Sequence, residues 1–323
     1  VDPLVQPITA LYNTTPGEFF GSAAAIDGDL LVVGAPEDDN RGDRAGAVHT
    51  FVRKNGVWSE EPKLWGSDTG ANDRFGAALA LDKDTLIVGA PFNGAFTSGS
   101  VYVFTRQGDN WVAGKKLTGN VRHSADQNYP YERNFGAALA LEGDTLIVGA
   151  PCTGDHGVAY VFMRTAGQWG DSWAQELIPT NTQGLPNPDL LFGASVALQG
   201  SHLLIGAPRF GPSTSQGAAY FYRHNGTQWT PVGGRHVAND ADSWDRFGTT
   251  VALGDGTAFV GAPYESNSNG NGAGAVYLFN FDGSTWNQAQ KLLGEAQNAL
   301  FGAALGFDGQ TLAAGAPEHN NLG

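Results

Sequence analysis

Apolar and polar positions along the chain follow one seventeen-residue block that returns again and again. In the second copy, Phe75-Gly-Ala-Ala-Leu-Ala-Leu81 is followed by the polar Lys83-Asp84, then Thr85-Leu-Ile-Val-Gly-Ala90 and Pro91. Apolar residues occupy both parities, which predicts strands covered on both faces. Asp27-Gly28, Glu142-Gly143, Gln199-Gly200, Asp255-Gly256 and Asp308-Gly309 place Gly between the two runs. A tight hairpin needs φ > 0 there, so the runs are predicted to pair antiparallel. A polar stretch of varying length leads to a third run: Ala47–Phe51, Val101–Phe104, Ala159–Phe162, Ala219–Tyr222 and Val276–Phe279. A further turn leads to a fourth run marked by Trp58, Trp111, Trp169 or Trp173, Trp229 and Trp286.

The block occurs six times. Phe-Gly stands at Phe20, Phe75, Phe135, Phe192, Phe247 and Phe301, and Gly-Ala-Pro begins at Gly34, Gly89, Gly149, Gly206, Gly261 and Gly315. Spacing inside the block is constant, so length variation falls on the connections. A single four-stranded sheet cannot cover both of its own faces, and sheets in series cover one another around an axis. The fold expected is an all-β β-propeller of four-stranded antiparallel blades. It forms one domain over residues 1–323, with repeat cores near residues 20, 75, 135, 192, 247 and 301 and the last repeat incomplete. The segment Leu4–Leu11 reads as a fourth strand without its first three. Placed in the last blade it closes six blades, or seven if the chain is truncated.

Composition narrows the class. The 323 residues include 46 Gly, about twice the usual share, and only 15% charged residues, which suits turns more than helical surfaces. Hydrophobic residues at 41% exclude a disordered chain, and no apolar run reaches the length of a spanning helix. A formal charge of −14 opposes binding to phosphate backbones, so nucleic acid is not an expected partner and membrane insertion is not expected either. Cys152 is the sole cysteine, which leaves no intramolecular disulfide framework and no cysteine-based zinc cluster.

The FG…GAP spacing resembles the FG-GAP repeat family, whose best-known members form the N-terminal propeller of integrin α subunits. The resemblance covers essentially the whole chain and implies a propeller used in adhesion or extracellular recognition. Many integrin-type repeats carry a D-x-D-x-D-G calcium loop between the first two strands. Here that connection is Asp27-Gly28-Asp29, Asp82-Lys83-Asp84 or Gly254-Asp255-Gly256, too short to wrap an ion, so the calcium inference does not transfer. The chain is closer to the short-hairpin variant of bacterial exported proteins.

Strand topology gathers every long connection on one face and the short hairpins on the other, and loops on a rigid scaffold carry function. The richest is 118–134, with Arg122, His123, Asp126, Tyr129, Tyr131 and Arg133. Its two tyrosines suit stacking on a sugar ring, with His123 and Asp126 donating or accepting hydrogen bonds; the alternative is that they pack on the loop itself. Phe92, Phe96, Phe210, Tyr264 and Glu265 follow Gly-Ala-Pro and either rim the same face or wedge between blades. Asp38, Asp39, Asn40 and Asp43 offer oxygens for calcium, against a solvated acidic loop, and Arg41-Gly42-Asp43 in that loop is ordinary turn chemistry. The recurring tryptophans read as one sugar site per blade or as anchors of strand four. Asp240, Asp242 and Asp245 read as a carboxylate pair for acid–base work or as a polar connection. The seven histidines are scattered without paired metal spacing, and no nucleophile elbow, phosphate loop or dinucleotide fingerprint occurs. Asn13 and Asn225 head glycosylation sequons.

The function expected is non-enzymatic recognition or adhesion outside the cell, secreted or at the surface. Its partner is a glycan or extracellular protein bound by the long-loop face, without a cofactor and with calcium as the one ion considered. The alternative is an assembly component whose last blade accepts a strand from a partner or neighbouring chain. A polysaccharide-acting enzyme ranks below both.

Overall fold

The computed structural model describes residues 17–94, 98–119, 134–152, 156–179, 191–210 and 215–318. Those residues form six antiparallel sheets and no helix. The first holds β1 (Ala23–Asp27), β2 (Leu30–Ala35), β3 (Ala47–Lys54) and β4 (Val57–Leu64). The second holds β5 (Ala78–Asp82), β6 (Thr85–Ala90), β7 (Ser100–Gln107) and β8 (Asn110–Leu117). The third holds β9 (Ala138–Glu142), β10 (Thr145–Ala150), β11 (Val158–Thr165), β12 (Gln168–Trp169) and β13 (Gln175–Leu177). The fourth holds β14 (Ser195–Gln199), β15 (His202–Ala207), β16 (Ala218–His224) and β17 (Trp229–His236). The fifth holds β18 (Thr250–Gly254), β19 (Thr257–Ala262), β20 (Ala275–Phe281) and β21 (Trp286–Leu293), and the sixth β22 (Ala304–Phe307) and β23 (Leu312–Gly315).

Strand order within each complete sheet is sequential. The third sheet differs because 170–174 interrupts its fourth strand, so β12 and β13 both pair with β11. This resolves the choice between two tryptophans: Trp169 lies in the strand, and Trp173 in the interruption packs on Tyr160 at 5.1 Å. The first strands β1, β5, β9, β14, β18 and β22 neighbour one another in that order, which is the stacking a propeller requires. The middle strands hold the core, with Val32, Ile87, Ile147, Ile205 and Val260 almost inaccessible.

The two motifs join each sheet to the next. Within a sheet the Phe-Gly amide donates to the Gly-Ala-Pro carbonyl, as from Gly76 to Gly89 at 2.9 Å and Gly136 to Gly149 at 3.0 Å. Between sheets the Gly of Gly-Ala-Pro lies against the carbonyl of the following Phe-Gly. A Cβ on Gly34, Gly89, Gly149, Gly206 or Gly261 would stand 2.0 to 2.3 Å from that oxygen. The Phe-Gly pair therefore precedes strand one instead of opening it, and Phe75, Phe135, Phe247 and Phe301 bridge to Gly46, Gly99, Gly217 and Gly274 of the sheet before. The ring then turns into its own sheet, edge-on to strand three, as Phe75 does to Tyr102 at 5.4 Å and Phe247 to Tyr277 at 5.3 Å.

The junction seen five times is not formed between the sixth sheet and the first among the described residues. A Cβ on Gly315 would meet only Ala304, and one on Gly21 nothing. Phe19 and Ile26 beside it are 64% and 62% exposed. The described residues thus form an open propeller-like series of six sheets; Leu4–Leu11, expected to close it, lies outside them.

Candidate functional site

Antiparallel order puts the entries to strands one and three and the exits from strands two and four at one end of every sheet. The opposite end is sealed by the short hairpins. Asp27 accepts the Lys83 amide at 2.6 Å, Asp82 that of Gly143 at 2.6 Å and Glu142 that of Gly200 at 2.6 Å. These three hairpin acids tie their turns to the next sheet's turn, which is a structural use for the carboxylates.

At the loop end, one polar cluster repeats. In the second sheet Lys116 from β8 bonds Asp68 and Asn93, both at 2.7 Å; Tyr102 donates to Asp68 at 2.7 Å, and Asn93 donates to the buried Asp73. In the fifth sheet Lys291 from β21 bonds Asp240 at 2.7 Å and Glu265, and Tyr277 donates to Asp240 at 3.0 Å. The Lys116 and Tyr102 hydrogen bonds hold Asp68 below the usual carboxylate range. Burial works against ionisation of Asp240, but Lys291 and Tyr277 outweigh it and hold its carboxyl down too. Asp245 goes the other way: burial, with Glu265 and Asp242 adding like charge, raises it to about 6. Its Oδ2 accepts the Asp242 amide at 2.7 Å, as Asp73 accepts that of Gly70 at 2.7 Å. A catalytic carboxylate pair has no need to recur; this arrangement does, and it pins the entry to strand one against the exits of strands two and four.

The sequence-derived candidates separate accordingly. His123, Asp126, Tyr129, Tyr131 and Phe96 lie outside the described residues. Phe92 is half-buried beneath the Arg74 guanidinium, 4.9 Å from its ring centre. Phe210 is buried in the core of the fourth sheet with Arg235 over it at 4.3 Å, and Glu265 is buried in the lysine cluster, so neither rims the face. Tyr264 is 42% exposed and presents one ring face to Arg246 at 4.4 Å. Trp58, Trp111 and Trp169 lie under Arg53, Arg106 and Arg164, Trp229 packs on His224, and Trp286 stacks on Phe221 at 4.7 Å. At least one ring face of each is covered from within the chain, as an anchor of strand four would have it.

The 37–45 loop is closed on itself. Asp38 is fully buried, with Asn40 on both its oxygens and Lys63 at 2.9 Å; burial opposes its charge, but these partners hold it below the usual range. Asp39 accepts the Arg44 amide at 2.7 Å, Asp43 lies 3.7 Å from Arg44, and Arg41 covers Trp65 at 5.1 Å. Sequence reasoning passed over the partners that Asp38 acquires: Glu18, His49 and Lys63. The available signal was a break in the strand-three column, where His49 stands in place of Tyr102, Tyr160, Tyr220 and Tyr277.

Six all-β repeat sheets that join through Phe-Gly and Gly-Ala-Pro define a propeller-like repeat protein. The FG-GAP repeat model matches residues 5–51, 58–104, 131–162 and 234–279, more than half of the chain, and the protein belongs to the FG-GAP repeat family. The match over 58–104 takes in β4 through β7, so the sequence unit is offset by one strand from the sheet. FG-GAP repeats occur in extracellular and adhesion proteins. No curated protein matches the chain. Among the described residues no helix is long and apolar enough to cross a membrane.

Proposed function

We propose that this protein is a non-enzymatic recognition module, secreted or at the cell surface, that binds a carbohydrate or matrix ligand through its long-loop face. The observation that carries this reading is the division of labour between the two ends of the sheets. Hairpin turns are short and three of them are tied to the next sheet's turn, whereas the large variation in length and aromatic content lies in loops held by that scaffold. Phe19, Trp244 and Tyr264 are exposed aromatics among the described residues, and Tyr129 and Tyr131 stand in the longest connection. The recurrence of the lysine–carboxylate clusters favours a structural role for the acidic residues over acid–base chemistry.

A glycan and matrix-protein array probed with the purified chain, with calcium and again with chelator, tests this. Binding to a defined ligand is expected, weakened at least about tenfold in a Tyr129→Ala/Tyr131→Ala/Tyr264→Ala variant. An array without binders under either condition would sink the reading. The assembly alternative is supported by the first and last sheets, which form no junction with each other among the described residues. It requires mass that rises with concentration in sedimentation, where the recognition module stays monomeric.

A further inference from the structure

His49 sits where four other sheets carry tyrosine, and the exchange alters the chemistry of a buried cluster. Tyr102 and Tyr277 supply a hydroxyl proton to an acid of their lysine clusters. An imidazole is shorter and, when neutral, brings a nitrogen lone pair instead. His49 is 4% exposed. Its Nδ1 lies 2.8 Å from Glu60 Oε1, which as a carboxylate oxygen accepts, so Nδ1 carries the proton. Nε2 is buried and has no hydrogen-bond partner. One imidazole nitrogen of His49, one oxygen of Glu18 and one of Asp38 lie within 4.8 Å of one another, and all three residues are buried.

We infer that Glu18, Asp38 and His49 form a binding site for a single divalent transition ion of the zinc type, with Glu60 orienting the imidazole from behind. Two carboxylates and one imidazole suit zinc, cobalt or manganese; calcium takes six to eight oxygens and gains nothing from the nitrogen. A carboxylate on the far ring nitrogen is the usual outer partner of a metal-binding histidine, and Glu60 is placed for it. Tetrahedral coordination with bonds of about 2.1 Å needs ligand atoms ~3.4 Å apart, so the three side chains close by a little over 1 Å at most. Three protein ligands leave a fourth position at the loop end of the first sheet.

Lys63 competes for the same carboxylates. Its ammonium lies 2.9 Å from Asp38 and 3.9 Å from Glu18, and its side chain retains enough exposure to swing outward. Ion binding displaces it, and removing it strengthens the ion. The rival explanation of the orphan nitrogen is a contact with Phe20, whose ring stands edge-on to the imidazole at 4.9 Å.

The test is calorimetric titration of chelator-treated protein with Zn²⁺, and with Co²⁺ followed by its visible absorption. One equivalent is expected. His49→Tyr, which installs the residue of the other sheets, is expected to abolish it; Glu60→Gln to weaken it by about tenfold or more; Lys63→Met to tighten it by about tenfold. Absence of binding even in Lys63→Met overturns the inference, as does an equivalent that persists undiminished in His49→Tyr. If His49→Tyr does not fold, Glu60→Gln at an exposed carboxylate decides: unchanged affinity for both ions overturns the site.

Discussion

A single methyl group on Gly89 would place a carbon 2.1 Å from the carbonyl oxygen of Gly136, inside any tolerable contact. The neighbour is backbone, so neither side can rotate away, and the second and third sheets must separate. Gly89→Ala is therefore expected to cost about 3 kcal/mol or more in urea unfolding. Gly143 is the control. Its φ of +56° marks it as a turn glycine, but a Cβ there meets open space, so Gly143→Ala should cost only about 1 kcal/mol. Equal costs would mean that the Gly-Ala-Pro glycine serves backbone freedom and not sheet-to-sheet approach. Both glycines stand out in the sequence as repeated characters. What the sequence conceals is the partner: Gly89 answers to Gly136 of the next repeat, a relation that appears only when sheets stack. His49 is the converse. It is visible as an exception in a column of tyrosines, but one exception has no meaning until Glu18 and Asp38, on either side of the first hairpin and both ahead of His49 in sequence, are brought beside it.

Between elements, the junction of the fourth and fifth sheets is the most aromatic. His202 packs edge-on to Phe281 at 4.7 Å and Trp286 at 5.5 Å, and His236 to Phe221 at 4.9 Å. Burial, with Arg223 adding repulsion, holds His202 below its usual value near 6.5, and burial does the same to His236. A lowered folded value means the unfolded chain takes up the proton first as pH falls. Stability from these residues is complete above about pH 6.5 and is lost as pH drops below it. Unfolding free energies from urea titration are expected to decline between pH 7 and 5, by less than about 1 kcal/mol per pH unit for each histidine once solvent screening is allowed for. Replacing both by leucine should flatten that slope. A slope that survives the double substitution would assign acid sensitivity elsewhere. The strands of this junction were legible from Phe-Gly, Gly-Ala-Pro and the strand-three pattern. The histidines were not, because polar residues at irregular spacing carry no period, and only the packing of β15 against β20 and β21 shows what surrounds them.

For the whole molecule, stability is a sum over sheets and the junctions between neighbours, and among the described residues the two end sheets have one junction each. The second to fifth sheets are flanked on both sides. Among the described residues the first sheet has no partner at Gly21, and the sixth consists of β22 and β23, whose residues are partly exposed. Six copies of the repeat were countable in the sequence, whereas the closure expected from Leu4–Leu11 depends on how two distant segments meet and falls outside the described residues. Hydrogen exchange reads the difference directly. In an open series the amides of β10 and β15, with a full sheet on either side, are expected to exchange slowest, while those of β22 and β23 exchange faster by about a hundredfold or more, corresponding to ~3 kcal/mol of lost junction. Protection should fall in steps from the third and fourth sheets outward, with β1 and β2 between the extremes. Uniform protection over all six sheets, lost together in one transition with urea, would instead require a junction joining the sixth sheet to the first, and the protein would behave as a closed ring.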